Sequence, residues 1–356
     1  MMKRILLFNV AWLFLINIAM AQNKWTKEKA DDWYAKQGWL RGCNFQPSTA
    51  VNQLEMFQPD TFDTATIDRE LGWAQDLGFN VMRVFLHHLL WVNDKDGLKK
   101  RLNTYLGISY KHGIKTMFVF FDDCWNDTAR VGRQPAPKVG VHNSGWVRDP
   151  GTMIYAHPDT LLVLEAYVKD ILTCFKNDER IALWDLYNEP GNNKQFNKSL
   201  PLLKKAYEWA REVNPSQPVT SGVWNNGKNF EKLNNFQLTN SDVITYHNYG
   251  YADNQKNAID TLRKFNRPII CSEYMARRNG SLFFNIMPLL KMENAGAINW
   301  GFVSGKTNTI YAWDTPMPDG KEPALWFHDI LRKDGTPFSK YEIEFIKSLC
   351  LPTVKN

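Results

Sequence analysis

The sequence predicts an α/β protein folded as one closed (β/α)8 barrel. Three observations carry this. Eight short apolar runs recur along the chain, amphipathic segments with helical spacing separate them, and polar or aromatic residues collect where the apolar runs end. Alternating strands and helices imply a parallel sheet, and eight such units imply a closed one.

The elements follow in order. Residues 1–21 are read as an export signal, with Lys3 and Arg4 before an apolar stretch and Ala19-Met20-Ala21 as a small-residue cleavage site. The barrel domain is expected over 22–356. Strands are predicted at 39–45, 80–86, 115–121, 181–187, 218–223, 243–247, 268–272 and 296–302, short enough and apolar enough to be buried on both faces. Helices are predicted at 67–77, 98–112, 160–175, 200–213, 258–265, 282–292 and 340–349. Segment 225–240, rich in Asn and Lys, has the poorest helical pattern. The longest stretch without a pattern, 122–157, follows the third strand and contains Trp125, Trp146 and three prolines. A loop of that length inside a compact domain points to function, and in such a barrel it lies on the face that carries the active site.

Composition narrows the classes. The formal net charge of +6 comes without a dense basic cluster, which argues against a nucleic-acid partner. No later segment is apolar enough to span a membrane once the signal is removed. Five cysteines (43, 124, 174, 271 and 350) lack metal-type spacing; Cys43 and Cys271 fall in strand-like runs and read as buried thiols, and no disulfide is assigned. Fourteen Trp and 13 Tyr supply a large core and, where exposed, flat apolar platforms for a ligand.

The chemistry-bearing residues sit at strand ends. Glu189 closes Trp184-Asp-Leu-Tyr-Asn-Glu189-Pro190, and Glu273 closes Pro268-Ile-Ile-Cys-Ser-Glu273. A carboxylate ending a buried strand is poorly solvated and needs a partner or a task. Two of them suit the cleavage of a glycosidic bond, one protonating the leaving oxygen while the other attacks or activates water. Around them stand Arg83 and His87 on the second strand, Asp122, Asp123 and Trp125 on the third, Asn188 on the fourth, His247 and Tyr249 on the sixth and Trp300 on the eighth. Strand alternation places His87 on the face of Arg83, leaves His88 to the surface, and points His247 and Tyr249 the same way. Asp185 is expected below the site, paired with an arginine or a hydroxyl. Trp146, Trp224 and Trp313 either stack a sugar or pin their loops.

This ordered set resembles the clan A retaining β-glycoside hydrolases, the cellulase/mannanase-like (family five-like) barrels. The likeness extends over the mature chain, including the segment 331–339 before the last helix. It implies Glu189 as general acid/base and Glu273 as nucleophile. Arg83 and Tyr249 would contact the nucleophile, Asn188 the sugar 2-hydroxyl, and Trp300 the sugar at the cleavage point. The residues after Arg83 depart from the commonest cellulase-type ending, which leaves the sugar open among glucan, mannan, xylan and galactan. No metal or organic cofactor is required, the partner is a polysaccharide or oligosaccharide, and a monomer is expected. Two alternatives from other classes are a carbohydrate-binding barrel without catalysis and a metal-dependent hydrolase built on His87, Asp122 and His247. In a retaining enzyme the two carboxyls should lie ~5 Å apart. Endo or exo action depends on whether the 122–157 loop leaves the cleft open at both ends.

Overall fold

The structure, a computed structural model, describes residues 24–155, 157 and 159–352. The export signal expected over 1–21 lies outside them. Eight parallel strands form one sheet: β1 (Arg41–Asn44), β2 (Val81–Phe85), β3 (Lys115–Asp122), β4 (Ile181–Asn188), β5 (Val219–Thr220), β6 (Ile244–His247), β7 (Ile269–Glu273) and β8 (Gly296–Asn299). Their order is β5-β4-β3-β2-β1-β8-β7-β6. The ends of this sheet meet through a parallel bridge between Val223 and Tyr246, with His247 N donating to Val223 O at 2.9 Å. That bridge completes the barrel and leaves no long free edge.

All eight predicted strands are present. The fifth is shorter than expected because only Val219 and Thr220 join the ladder, and the eighth stops one residue before Trp300. Alternation along β2 divides the side chains cleanly. Met82 and Val84 pack outward among the helices, while Val81 points inward with Met117, Leu183, Ile270 and Ile298 to fill the barrel floor. Arg83 and Asp185 sit one step above that floor, fully buried and joined at 2.7 Å. Asp185 therefore has the arginine partner expected for it. Cys43 and Cys271 are buried, as their strand-like surroundings require.

The surrounding helices include α1 (Lys27–Gln37), α2 (Gln53–Phe57), α3 (Thr64–Asp76), α4 (His88–Lys111), α5 (Thr160–Phe175), α6 (Leu200–Val213), α7 (Glu231–Asn240), α8 (Ala252–Leu262), α9 (Phe283–Met292) and α10 (Lys340–Cys350). The ends of α5 and α6 match the periodicity, and the Asn/Lys-rich segment does form α7. Helix α6 starts on a proline and stops at Asn214, whose left-handed backbone (φ 56°) terminates it. Sequence periodicity misses α1, because nearly all of this helix is polar. Only Ala30 and Tyr34, four apart on one face, are buried; with Trp25 they plug the floor of the barrel. The Trp25 N–H donates to Asp242 Oδ1 at 2.8 Å, fixing this plug to the segment before β6.

Helix α4 begins ten residues earlier than its apolar spacing indicates, and this overturns two expectations. His87 is the N-cap of α4, accepting from Leu89 N at 3.2 Å, with its other ring nitrogen on Arg148 O at 3.0 Å. The chain leaves the barrel after Leu86, so alternation with Arg83 no longer aims His87 at the cleft. Burial pushes its imidazole down to about 4. His88, expected at the surface, is buried against the Asp149 carboxylate.

Candidate active site

The C-terminal ends of the strands open into a cleft of about 340 Å³. Glu189, Glu273, Asn188, Tyr249, Trp125 and Trp300 line it, as do Trp146, Trp224 and Trp313. Arg83 lies immediately beneath.

Arg83 organises the floor of the cleft. Its Nη1 donates to Glu273 Oε1 at 2.7 Å and to Asn44 Oδ1 at 2.8 Å; Nη2 donates to Asp185 Oδ2 at 2.7 Å and to Asn188 Oδ1 at 2.6 Å. A fully buried guanidinium is tolerable only with this number of acceptors. Each acceptor is thereby fixed in turn. Asn188, held at its oxygen by Arg83, donates from Nδ2 to Asp122 Oδ1 at 2.9 Å and, over a longer 3.4 Å, to the Cys124 sulfur, a weak acceptor.

The two glutamates have different neighbours. Glu273 receives Arg83 on one oxygen and the Tyr249 hydroxyl on the other, at 2.7 Å. Glu189 is held only by uncharged donors: Asn192 Nδ2 at 2.5 Å, His247 Nδ1 at 2.8 Å and the Cys124 thiol at 3.2 Å. Burial raises both carboxyls above the ordinary range. For Glu273 the neighbouring His247 ring, the Arg83 charge and the Tyr249 bond oppose that rise; for Glu189 the thiol, the Asn192 amide and the Arg83 charge oppose it. The guanidinium in direct contact with Glu273 favours its charged form. Burial also pushes His247 down to about 4, so a neutral ring faces both carboxyls. One oxygen of each glutamate and a ring nitrogen of His247 lie within 4.8 Å of one another.

Glu189 itself adopts φ 44°, a left-handed conformation that costs a non-glycine residue roughly 1–3 kcal/mol. The strand ends at Asn188, and Pro190 follows. That turn swings the carboxyl from the ladder into the cleft.

Asp122 and Asp123 serve the scaffold. Asp122 accepts from Cys124 N at 2.8 Å and from Trp146 Nε1 at 2.7 Å, and burial raises it to about 7. Asp123 binds the Tyr187 hydroxyl at 2.9 Å and Gly191 N at 2.7 Å, tying the loop after β4 to β3. The triad His87, Asp122 and His247 does not assemble. Among the described residues the donor groups within metal-binding reach of one another are instead His87, His88 and Asp149, and Glu189, His247 and Glu273. Trp300 packs edge-on against Phe85 and Trp146, which sets its ring as a wall of the cleft.

The residues from 138 to 303 match the family model described as glycosyl hydrolases family 2, TIM barrel domain. Both glutamates fall within that stretch. Over that stretch, a little under half of the chain, the barrel is similar to a glycoside hydrolase TIM-barrel domain. No curated protein sequence matches the chain. Among solved structures it is similar to the exo-beta-1,4-mannosidase Op5Man5 from Opitutaceae bacterium strain TAV5, at 16% identity over 88% of this chain and TM-score 0.61; it spans 61% of that longer protein. It is also similar to the hyperthermostable endo-1,4-beta-D-mannanase from Thermotoga petrophila RKU-1, at 16% identity, 87% and 99% coverage and TM-score 0.56. A third is GH5_18 from Streptomyces cattleya, at 11% identity, 88% and 79% coverage and TM-score 0.59. At these identities the likeness is one of fold, and it agrees with the cellulase/mannanase-like barrel expected from the motifs.

Of the site residues expected from sequence, Arg83, Asn188, Glu189, His247, Tyr249 and Glu273 meet in one hydrogen-bonded group with Trp300 and Trp125 at its walls; His87 alone does not. Missed were Asn44, Cys124, His142, Asn143, Asn192 and His328. Asn44 had a signal, being a polar residue that closes an apolar strand. The others lie in loops, where no periodicity aims a side chain.

Proposed function

We propose that this protein is an exported, monomeric, retaining β-glycoside hydrolase that acts on β-linked polysaccharide or oligosaccharide. Glu273 attacks the anomeric carbon and forms a glycosyl–enzyme ester while Glu189 protonates the departing oxygen. Glu189 then takes a proton from water, which displaces Glu273 and releases the sugar with its configuration retained. Asn188 holds the 2-hydroxyl from Nδ2, exchanging its 3.4 Å contact with the Cys124 sulfur for a bond that strengthens as the ring gains oxocarbenium character.

The observation that carries this reading is the contrast between two close carboxyls. Glu273 sits on a guanidinium and a phenol and Glu189 on neutral donors, with donor atoms within 4.8 Å. A buried acid beside an ion-paired carboxylate is the division of labour that the double displacement needs. Removal of residues 1–21 and export, with no nucleic-acid partner, complete the proposal; among the described residues no helix is long and apolar enough to cross a membrane.

Paired substitutions test the roles. Glu273→Gln should lose on the order of 10⁴-fold or more in kcat on every substrate. Glu189→Gln should lose about 10²–10⁴-fold on natural glycosides. It should lose far less on aryl glycosides, whose leaving group needs no proton. Equal losses for Glu189→Gln on both substrate types would remove its assignment as the acid.

A further inference from the structure

The mouth of the barrel is closed on one side and open on the other. The loops after β3 and β8 are joined across it: Asn143 N donates to Thr307 O at 2.8 Å, Met317 N to Gly140 O at 2.9 Å, and Asn308 Nδ2 to Lys138 O at 2.8 Å. Contact at Gly140 is so close that a Cβ there would lie 1.7 Å from the Met317 carbonyl oxygen. Past Glu189 the surface falls away into a groove of about 980 Å³, bordered by Trp224, Tyr251, Asn254 and Arg278. Glu189 borders both spaces, whereas Glu273 borders only the closed cleft.

Three polar side chains line that cleft with atoms left over. His142 and His328 use Nδ1 against backbone carbonyls, Tyr311 O at 2.9 Å and Met275 O at 2.5 Å. Those bonds fix the Nδ1–H tautomer and leave Nε2 as a bare acceptor. Burial keeps both rings uncharged, lowering His142 to about 4 and His328 well below its ordinary value. His328 Nε2 and Asn143 Oδ1 are buried without a hydrogen-bond partner, on residues 0% and 1% exposed. Buried acceptors are normally paired, so these call for hydroxyl donors. The lining residues, all among those described, include Asp122 and the two glutamates but no lysine or arginine.

We propose that the protein acts at chain ends. One neutral, non-reducing terminal sugar fills the closed cleft, its hydroxyls donating to His142, Asn143 and His328, and the remainder of the substrate lies in the open groove. The direction follows from the glutamates. The sugar whose anomeric carbon meets Glu273 must be in the closed cleft, and the oxygen protonated by Glu189 must leave toward the groove that Glu189 shares. A uronic acid is disfavoured there, because its carboxylate would face acceptors and carboxylates with no cation to receive it. This inference rests on the glycosidase reading above.

The test uses the wild-type protein and β-1,4-linked tetrasaccharides of glucose, mannose, galactose and xylose. Each is supplied free or with the terminal non-reducing 4-hydroxyl methylated. The expected result is monosaccharide as the first product from one free tetrasaccharide, and a rate at least about 100-fold lower on its capped form. The aryl glucuronide should be at least about 100-fold slower than the best neutral aryl glycoside. Di- or trisaccharides as first products, or a capped chain cut as fast as the free one, would overturn chain-end action and leave the glycosidase reading standing. No hydrolysis of any tetrasaccharide or aryl glycoside overturns both.

Discussion

Glu189 and Glu273 were legible in the sequence because a charged residue that closes an apolar strand has few structural excuses. Their partners were legible for related reasons: Asn188, His247 and Tyr249 are polar groups at or just past strand ends, and Arg83 is a charged residue inside an apolar strand, where alternation fixes its direction. Cys124 was not, since it lies in a loop, yet its thiol reaches Glu189 at 3.2 Å. That contact favours the ionised carboxylate, so Cys124→Ala should raise the Glu189 pKa further. In the proposed mechanism Glu189 must be protonated to act, so activity falls as pH rises through its pKa. The basic limb of the kcat/KM profile in Cys124→Ala should therefore move to higher pH, and an unmoved limb would remove the thiol from the proton chemistry. Arg83 carries a heavier load. Arg83→Met leaves Asp185 buried without its counter-charge, a loss of roughly 3–5 kcal/mol that urea unfolding can measure.

At the scale of elements, strands and helices were read well where periodicity was strong and poorly where a cap or a plug decided the matter. His87 was misplaced because strand alternation was carried two residues past the point where the chain turns to start α4. The polar α1 escaped notice since it buries only a narrow face under the barrel. Its role predicts a clear contrast. Tyr34→Ala should destabilise the fold by about 3–5 kcal/mol, as other large-to-small core changes do. Tyr34→Phe should be neutral or slightly stabilising, because the buried Tyr34 hydroxyl has no hydrogen-bond partner. Thermal or urea melts of the two variants separate these outcomes. Loops were the least legible elements: the length of 122–157 flagged it, but only its bonds to the loop after β8 show that it closes one end of the cleft.

The whole molecule is a scaffold that holds unlike electrostatic environments a few ångströms apart. The closed sheet fixes β4 and β7, Arg83 is buried at the point where their carboxyls meet, and α1 seals the opposite end. The eightfold repeat made this architecture readable from sequence, since parallel strands buried on both faces leave few other solutions. Which sugar binds was unreadable, because the groups nearest its hydroxyls come from loops brought together only by the fold. The account's central claim is that Glu273 attacks carbon and that the reaction proceeds through two displacements. Proton NMR of the first-formed product, recorded before mutarotation, tests it most directly. The account predicts the β-anomer from a β-glycoside; the α-anomer as first product would contradict it.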